Sequence, residues 1–185
     1  MTLHARTPWL FRSLTIGVAA IAAMAVFFNR PQAPVVTQTS GVVTVVVEKV
    51  FDGDTFRAVG GEKVRLIGID TPEMHESNKL FRDAARTRQD VEVIKGLGRK
   101  SWRFVEPLIL GKTVRLEFDV QRRDKYSRLL AYVYLEDGTF LNREIIAAGY
   151  ASPMTIPPNV AHADEFKQLF REAREKKRGL WATEE

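Results

Sequence analysis

Residues 41–70 read GVVTVVVEKVFDGDTFRAVGGEKVRLIGID and contain three predicted strands joined by two short turns. Valine and other β-branched residues dominate 41–50, which predicts the first strand. The FDGD turn and the Gly-Gly pair then bound two further strands, predicted over 55–59 and 62–69. Three consecutive strands without an intervening helix favour an antiparallel meander over alternating β-α-β units.

The remaining sequence adds two strands and several helices to this meander. Strands are predicted at 113–119 and 128–135, and helices at 78–95, 102–109, 142–148 and 166–173. We expect Gly96 and Gly98 to interrupt the helical region, and Pro107 to kink the helix or to place a helix boundary nearby. The prolines of 152–161 predict a loop, and Gly179 is expected to close the last helix. This order predicts an α+β, mainly β fold, in which a five-stranded OB-fold barrel carries flanking helices.

The first forty residues differ in composition from the rest. The uncharged run 13–28 follows Arg6 and Arg12, an arrangement typical of an export signal. Because the run continues past the small residues Ala23-Met24-Ala25, an uncleaved hydrophobic helix is favoured over a cleaved signal. The chain is therefore divided into a signal-anchor or signal peptide (1–30), a linker (31–40) and a folded domain (41–185).

The charge distribution predicts where the domain lies but not what it binds. Two arginines before the apolar run and one after it favour a domain outside the cytoplasm, anchored in the membrane through 13–28, or secreted or periplasmic if the segment is cleaved. The net charge is +5, but 1–40 holds three arginines and no acid. Removing these three from the 28 basic residues leaves 25 against 23 acidic ones. Net charge alone is therefore no argument for nucleic-acid binding.

The composition excludes several classes of protein. Of the 185 residues, 45% are hydrophobic and 28% are charged, which excludes an intrinsically disordered chain. Cysteine is absent from the sequence, so a disulfide scaffold, a thiolate zinc site and a cysteine nucleophile are excluded as well.

Two aspartates are expected to lie close together. Asp54 precedes the second predicted strand and Asp70 follows the third, so a hairpin of these strands brings the two carboxylates near each other. Neighbouring carboxylates repel, and a hard divalent cation relieves the repulsion. Oxygen ligands without histidine or cysteine favour Ca²⁺ or Mg²⁺ over zinc. The alternative is a plain turn, since Asp and Gly are common turn residues.

Three further charged residues accompany the aspartates. Glu73 follows Asp70 closely and can act as a general base, or it is simply a solvated loop charge. Arg65 and Arg128 can clamp a phosphate with their forked donors, although singly such arginines are most often salt-bridged. Strict alternation places Arg65 and Asp70 on opposite faces of a strand, so the strand must bulge or end between them, and Gly68 is the expected place.

Three separated segments together resemble the thermonuclease family: DGDTF at 52–56, RLIGIDTPE at 65–73 and RDKYSRLLAY at 123–132. The similarity extends from about Val45 to Trp181. It implies an OB-fold barrel and a monomeric, Ca²⁺-dependent endonuclease that cleaves DNA and RNA, preferably where they are single-stranded or frayed.

The resemblance also implies individual roles. The metal ligands are Asp54, Asp70 and the Thr71 carbonyl, the catalytic residues are Arg65, Glu73 and Arg128, and Lys125 and Tyr126 contact a terminal phosphate. The chain departs from the family pattern in having Ser127 where glycine is usual and about a dozen extra residues, placed in 74–100. Two rivals remain open. One is a non-catalytic nucleic-acid or protein-binding OB-fold module, and the other is a domain that uses calcium only for stability.

Overall fold

The computed structural model describes residues 38–39 and 42–182. The strands are β1 (Gln38–Thr39), β2 (Val42–Val50), β3 (Thr55–Ala58), β4 (Lys63–Leu66), β5 (Gly68–Asp70), β6 (Thr113–Glu117), β7 (Leu129–Leu135) and β8 (Ser152–Met154). The helices are α1 (Asn78–Thr87), α2 (Val91–Ile109), α3 (Leu141–Ala147) and α4 (Ala163–Glu175), followed by a 3₁₀ turn (Gly179–Trp181).

Five strands close into a barrel in the order β2-β3-β4-β7-β6, and β6 pairs again with β2. Strand β2 can serve both neighbours because its first half pairs with β6 and its second half with β3, with a register shift between Val47 and Lys49. Such a shift bends a strand, which helps to close a small barrel. The pairing of β4 with β7 is parallel, and the other barrel pairings are antiparallel. The predicted five-stranded barrel with flanking helices is confirmed.

The core fills the barrel and the space between the barrel and the helices. Phe56, Val64 and Leu116 are fully buried within the strands. On the helix side, Ile145 of α3 and Phe166 of α4 belong to the same hydrophobic cluster. Burial of this continuous apolar surface is the main force that holds the helices against the sheet.

The third predicted strand is divided in two, as the positions of Arg65 and Asp70 required. Strand β4 ends at Leu66, and β5 begins at Gly68, whose φ is +79°. The carbonyl of Ile67 leaves the ladder at this break and accepts a hydrogen bond from Asn142 Nδ2 at 2.9 Å. Asn142 is fully buried, so this hydrogen bond satisfies a backbone carbonyl that water cannot reach.

One prediction for the helical region is wrong: helix α2 runs through Gly96 and Gly98 without interruption. Pro107 lies within its last turn, close before the end of the helix at Ile109, as the predicted nearby boundary required. The break in the region comes earlier, at Arg88–Asp90, where Arg88 has a left-handed φ of 57°. Gly98 is retained in the helix because a side chain there would collide with the backbone of Glu73.

Two predictions near the carboxyl terminus also need correction. Residues 152–154 lie in the predicted loop but form β8, which pairs with β5 through Ile69 and Pro153. Helix α4 ends at Glu175, well before Gly179, which instead begins the 3₁₀ turn.

The predicted amino-terminal hydrophobic helix, including 13–28, lies outside the described residues, as does most of the 31–40 linker. Within 38–39 and 42–182, no helix is both long enough and apolar enough to cross a membrane.

Candidate active site

A buried arginine joins Asp54 and Asp70, the two aspartates that were expected to lie close together. Arg65 Nη1 forms an ion pair with Asp54 Oδ1, and Arg65 Nη2 lies 2.8 Å from Asp70 Oδ1. The side chains of Arg65 and Asp54 are only 9% and 6% exposed, whereas Asp70 is 21% exposed. The structure therefore brings both aspartates to one guanidinium, with Asp70 on the solvent side.

Asp54 also ties the start of β3 to the end of β5. Its Oδ2 accepts hydrogen bonds from the backbone N–H of Thr71 at 2.8 Å and from the Thr71 hydroxyl at 2.9 Å. The Thr55 hydroxyl donates to its Oδ1 at 2.9 Å. Gly53 permits this close packing, because a Cβ there would lie 2.7 Å from Thr71 Cγ2. The DGD turn is thus part of the pocket.

Burial also shifts the pKa values of Asp52 and Arg65. It raises the pKa of Asp52, against the lowering effect of the Arg65 charge. Burial lowers the pKa of Arg65; the charge of Asp70 opposes this, and the positive charge of Arg128 adds to it. Arg128 is therefore close enough to Arg65 for the two guanidinium groups to repel each other.

Lys79, which was not predicted from the sequence, lies at the solvent side of this pocket. Its Nζ is 3.3 Å from Asp70 Oδ2 and 3.1 Å from Glu73 Oε1, and it donates to the Thr71 carbonyl at 3.2 Å. Burial lowers the pKa of Lys79, but the charges of Asp70 and Glu73 outweigh it, so the pKa lies above its ordinary value. The one local indication was Ser77, which caps α1 and fixes the start of the helix that carries this lysine.

Glu73 is held at the pocket by its backbone as well as by Lys79. A Cβ on Gly98 would lie 2.6 Å from the carbonyl carbon and oxygen of Glu73, so α2 packs directly on this segment. The Glu73 side chain is 22% exposed and faces the ammonium of Lys79. A carboxylate fixed in this way can reach water at the mouth of the pocket.

Arg128 lies in the loop before β7, and Asp124 of the same loop fixes its side chain. Its Nε donates to Asp124 Oδ2 at 2.7 Å, and its Nη2 lies 2.7 Å from the same oxygen. Ser127 adopts the left-handed conformation that glycine tolerates best, with φ 63°. Tyr126 is exposed, and its ring lies 5.0 Å from Lys125 Nζ and 5.6 Å from the Arg128 guanidinium carbon. These three residues present an aromatic ring and two cations to solvent.

The oxygen atoms of the pocket fit a hard cation. Among the described residues, no group of three or more His, Cys, Asp or Glu side chains is arranged to hold a metal ion. The oxygens of Asp70, Thr71 and Glu73 nevertheless converge on the Lys79 ammonium, so this donor set already holds a positive charge. Carboxylate and carbonyl oxygens are the ligands that Ca²⁺ prefers.

Several known proteins are similar to this chain over about three quarters of its length. A family model described as staphylococcal nuclease homologue matches residues 63–183. An uncharacterized protein of Methanocaldococcus jannaschii, MJ1439, is 38% identical over 148 residues, which cover 73% of this chain and 70% of that protein. The thermonuclease of Staphylococcus intermedius is 33% identical over 139 residues, which cover 74% of each chain.

An uncharacterized endonuclease of Escherichia coli is 33% identical over 143 residues, covering 74% of this chain and 75% of the relative. The family match includes Arg65, Asp70, Glu73 and Arg128 but begins after Asp54. The barrel, the pocket and these matches lead to one conclusion: the chain belongs to the staphylococcal nuclease homologue family.

Proposed function

We propose that this protein is an extracytoplasmic, Ca²⁺-dependent endonuclease that hydrolyses phosphodiester bonds of DNA and RNA by attack of water. The observation that carries the proposal is the pocket in which Arg65 joins Asp54 and Asp70, with Glu73 and Arg128 nearby. Relatives named thermonuclease and endonuclease support the reaction class.

Asp54, Asp70 and the Thr71 carbonyl would hold Ca²⁺. When bound, the ion supplies a Lewis acid that draws charge away from a phosphate oxygen. Arg65 aligns both carboxylates, since its two terminal nitrogens each face one of them. Thr71 fixes Asp54 from the opposite side through its N–H and hydroxyl.

Glu73 accepts the proton of the attacking water or orients that water toward the phosphorus. Arg65 and Arg128 bring positive charge to the place where negative charge grows in the transition state. Two nitrogens of Arg128 face Asp124, which leaves the donors of its Nη1 for a phosphate oxygen. Lys125 and Tyr126 extend this surface and would contact a terminal phosphate.

We also propose that the substrate is preferably single-stranded or frayed and that the enzyme acts as a monomer. The phosphate must reach a pocket in which the Arg65 side chain is only 9% exposed, which a strand free of its partner achieves most readily. The domain would lie outside the cytoplasm, either anchored through residues 13–28 or released by cleavage. Cell fractionation tests this location, because the domain should then be found in the membrane, periplasmic or culture-medium fraction and not in the cytosol.

The test of the activity is hydrolysis of plasmid DNA and of single-stranded RNA by the full chain, with Ca²⁺ and then with a chelator. We expect cleavage that the chelator abolishes, and a loss of about 10²-fold or more in Glu73→Gln and in Arg128→Ala. Glu76→Gln is the matched control, because Glu76 is exposed three residues further along the same segment. Binding of oligonucleotide without cleavage would replace the proposal with a non-catalytic module. Calcium-dependent melting without hydrolysis would leave only a stabilising metal.

A further inference from the structure

Lys79 places a positive charge on the oxygens that the proposed function assigns to calcium and to the general base. Its ammonium touches four oxygen atoms, those of Asp70, Thr71, Glu73 and Asp83, at 3.1 to 3.3 Å. The first two residues are proposed metal ligands, and Glu73 is the proposed base. The Lys79 side chain, which is only 27% exposed, therefore contacts two of the proposed metal ligands and the proposed base.

The fold of the segment explains how the lysine reaches this place. Ser77 caps α1 by accepting a hydrogen bond from the N–H of Leu80 at 3.1 Å, and Leu80 is fully buried. These two contacts fix the first turn of α1 against the domain, with Lys79 between them. The position is electrostatically unfavourable for a lysine, because the amino-terminal end of a helix carries partial positive charge and this first turn holds no acidic residue.

The attraction between Lys79 and the carboxylates of the pocket outweighs its unfavourable position at the amino-terminal end of the helix. The same carboxylates cannot serve a divalent cation and the ammonium together, because charges of the same sign repel strongly at such short range. A cation bound by Asp70 and the Thr71 carbonyl therefore requires Lys79 to leave those oxygens.

Asp83 gives the displaced lysine an alternative partner. It lies one helical turn beyond Lys79, and its Oδ2 is 3.3 Å from Nζ. Asp83 is outside the proposed ligand set, so the lysine can move toward it without leaving α1. Arg86 contacts the other oxygen of this carboxylate, Oδ1, at 3.0 Å, so Oδ2 stays available to Lys79.

We propose that, in the absence of metal, the Lys79 ammonium occupies two of the three proposed metal ligands, Asp70 and the Thr71 carbonyl. A divalent cation must then displace this ammonium toward Asp83. The inference rests on the proposed function, because it assumes that a divalent cation binds there. Lys79 thereby raises the metal concentration that is needed to fill the pocket. When metal is absent, its charge reduces the repulsion between the carboxylates of Asp70 and Glu73.

The test measures Ca²⁺ affinity of the full chain by calorimetry, together with thermal melting with and without Ca²⁺. We expect Lys79→Met to bind Ca²⁺ roughly tenfold more tightly than the wild type, since no ammonium has to leave. Without Ca²⁺ the variant should melt at a lower temperature than the wild type, because its carboxylates repel one another. Lys79→Arg keeps the charge and should retain weak binding. Arg86→Met is the matched control: it removes the other cation on Asp83 from a 75% exposed position and should leave Ca²⁺ affinity unchanged.

A second measurement follows the lysine itself in the unmodified sequence. Acetylation of Lys79, mapped by mass spectrometry, should become several-fold faster when Ca²⁺ is added, because the released amine is more accessible. Equal Ca²⁺ affinity in wild type and Lys79→Met, or an unchanged acetylation rate in a chain that binds Ca²⁺, would overturn the inference and leave the proposed function intact. Absence of Ca²⁺ binding in all variants would overturn both, whereas binding in Lys79→Met alone would support the inference.

Discussion

Asp54 and Arg65 are the two charged residues that the described part of the chain keeps buried. Each has the other as a partner, and each has further polar contacts: Asp54 with two threonines, Arg65 with Asp70. Burying a charge is tolerated only when it is paired and hydrogen-bonded. The pocket is therefore a coupled unit in which the loss of one charge exposes the desolvation cost of the other.

Removal of Arg65 alone should be far more harmful than removal of the whole pair. We expect Arg65→Met to lower the free energy of unfolding by about 3–5 kcal/mol, because Asp54 is left buried without a counter-charge. The double variant Asp54→Asn/Arg65→Met should recover a substantial part of that loss. Urea denaturation of the four members of the cycle measures this. Strictly additive losses would contradict the coupling.

The break in the strand between Arg65 and Asp70 was predicted from the sequence, because alternation put the two residues on opposite faces and Gly68 was the expected place for a break. Lys79 was not predicted. Its place depends on how the segment after Pro72 folds back over the pocket, which no local periodicity encodes. Asn142 was missed for a related reason, since its partner, the Ile67 carbonyl, is 75 residues away.

At the level of elements, two glycines of the same helix differ in how closely the rest of the protein packs against them. Gly96 and Gly98 both lie in α2, but only Gly98 faces a neighbouring backbone. A Cβ at Gly98 would lie 2.6 Å from Glu73 and 2.7 Å from the carbonyl oxygen of Pro72, whereas one at Gly96 would meet only Arg99 Nη2, at 3.8 Å. Helix propensity predicts an interruption at both positions, and tertiary packing overrides it. Strand β8 was not predicted either, because it contains Pro153 and proline is unfavourable in strands except at an edge.

This difference makes a matched pair of variants. Gly98→Ala should cost about 1–3 kcal/mol in unfolding free energy, since the methyl group forces α2 and the Glu73 segment apart. It should also lower hydrolysis, because Glu73 moves with that segment. Gly96→Ala should instead stabilise the protein by about 0.5–1 kcal/mol, the gain of alanine over glycine within a helix. Urea denaturation and the cleavage assay check both. Equal effects of the two substitutions would contradict the packing argument.

On the scale of the whole molecule, carboxylates remote from the pocket connect the loops to the barrel. Asp119, just after β6, accepts hydrogen bonds from the Tyr132 hydroxyl at 3.0 Å and from the Ala161 N–H at 3.3 Å. Nearby, Asn159 and the backbone of Gln121 exchange two hydrogen bonds of 2.8 Å. The loop after β6 and the loop before α4 are therefore joined by polar contacts, and acid should weaken the junction.

The ionisation of Asp119 gives this junction a defined pH dependence. Burial acts to raise the pKa of Asp119, but hydrogen bonds from Val120, Ala161 and Tyr132 outweigh it, so folding lowers the pKa. A carboxyl group of this kind stabilises the fold fully above its unfolded pKa, about 3.9. The stabilisation is lost as the pH falls through the lower pKa of the folded state.

Asp119→Asn should therefore be less stable than the wild type at pH 7, with a difference that shrinks as the pH falls below about 4, through the unfolded pKa and toward the lower folded pKa. Asp124 and Asp137 also have lowered pKa values and should weaken the folded state in acid in both proteins, while Asp52, whose pKa burial raises, opposes them in both. These shared contributions cancel in the difference between variant and wild type. Urea denaturation at intervals between pH 3 and pH 7 provides the measurement. A difference that stays constant over that range would mean that the Asp119 carboxylate contributes through packing and not through its charge.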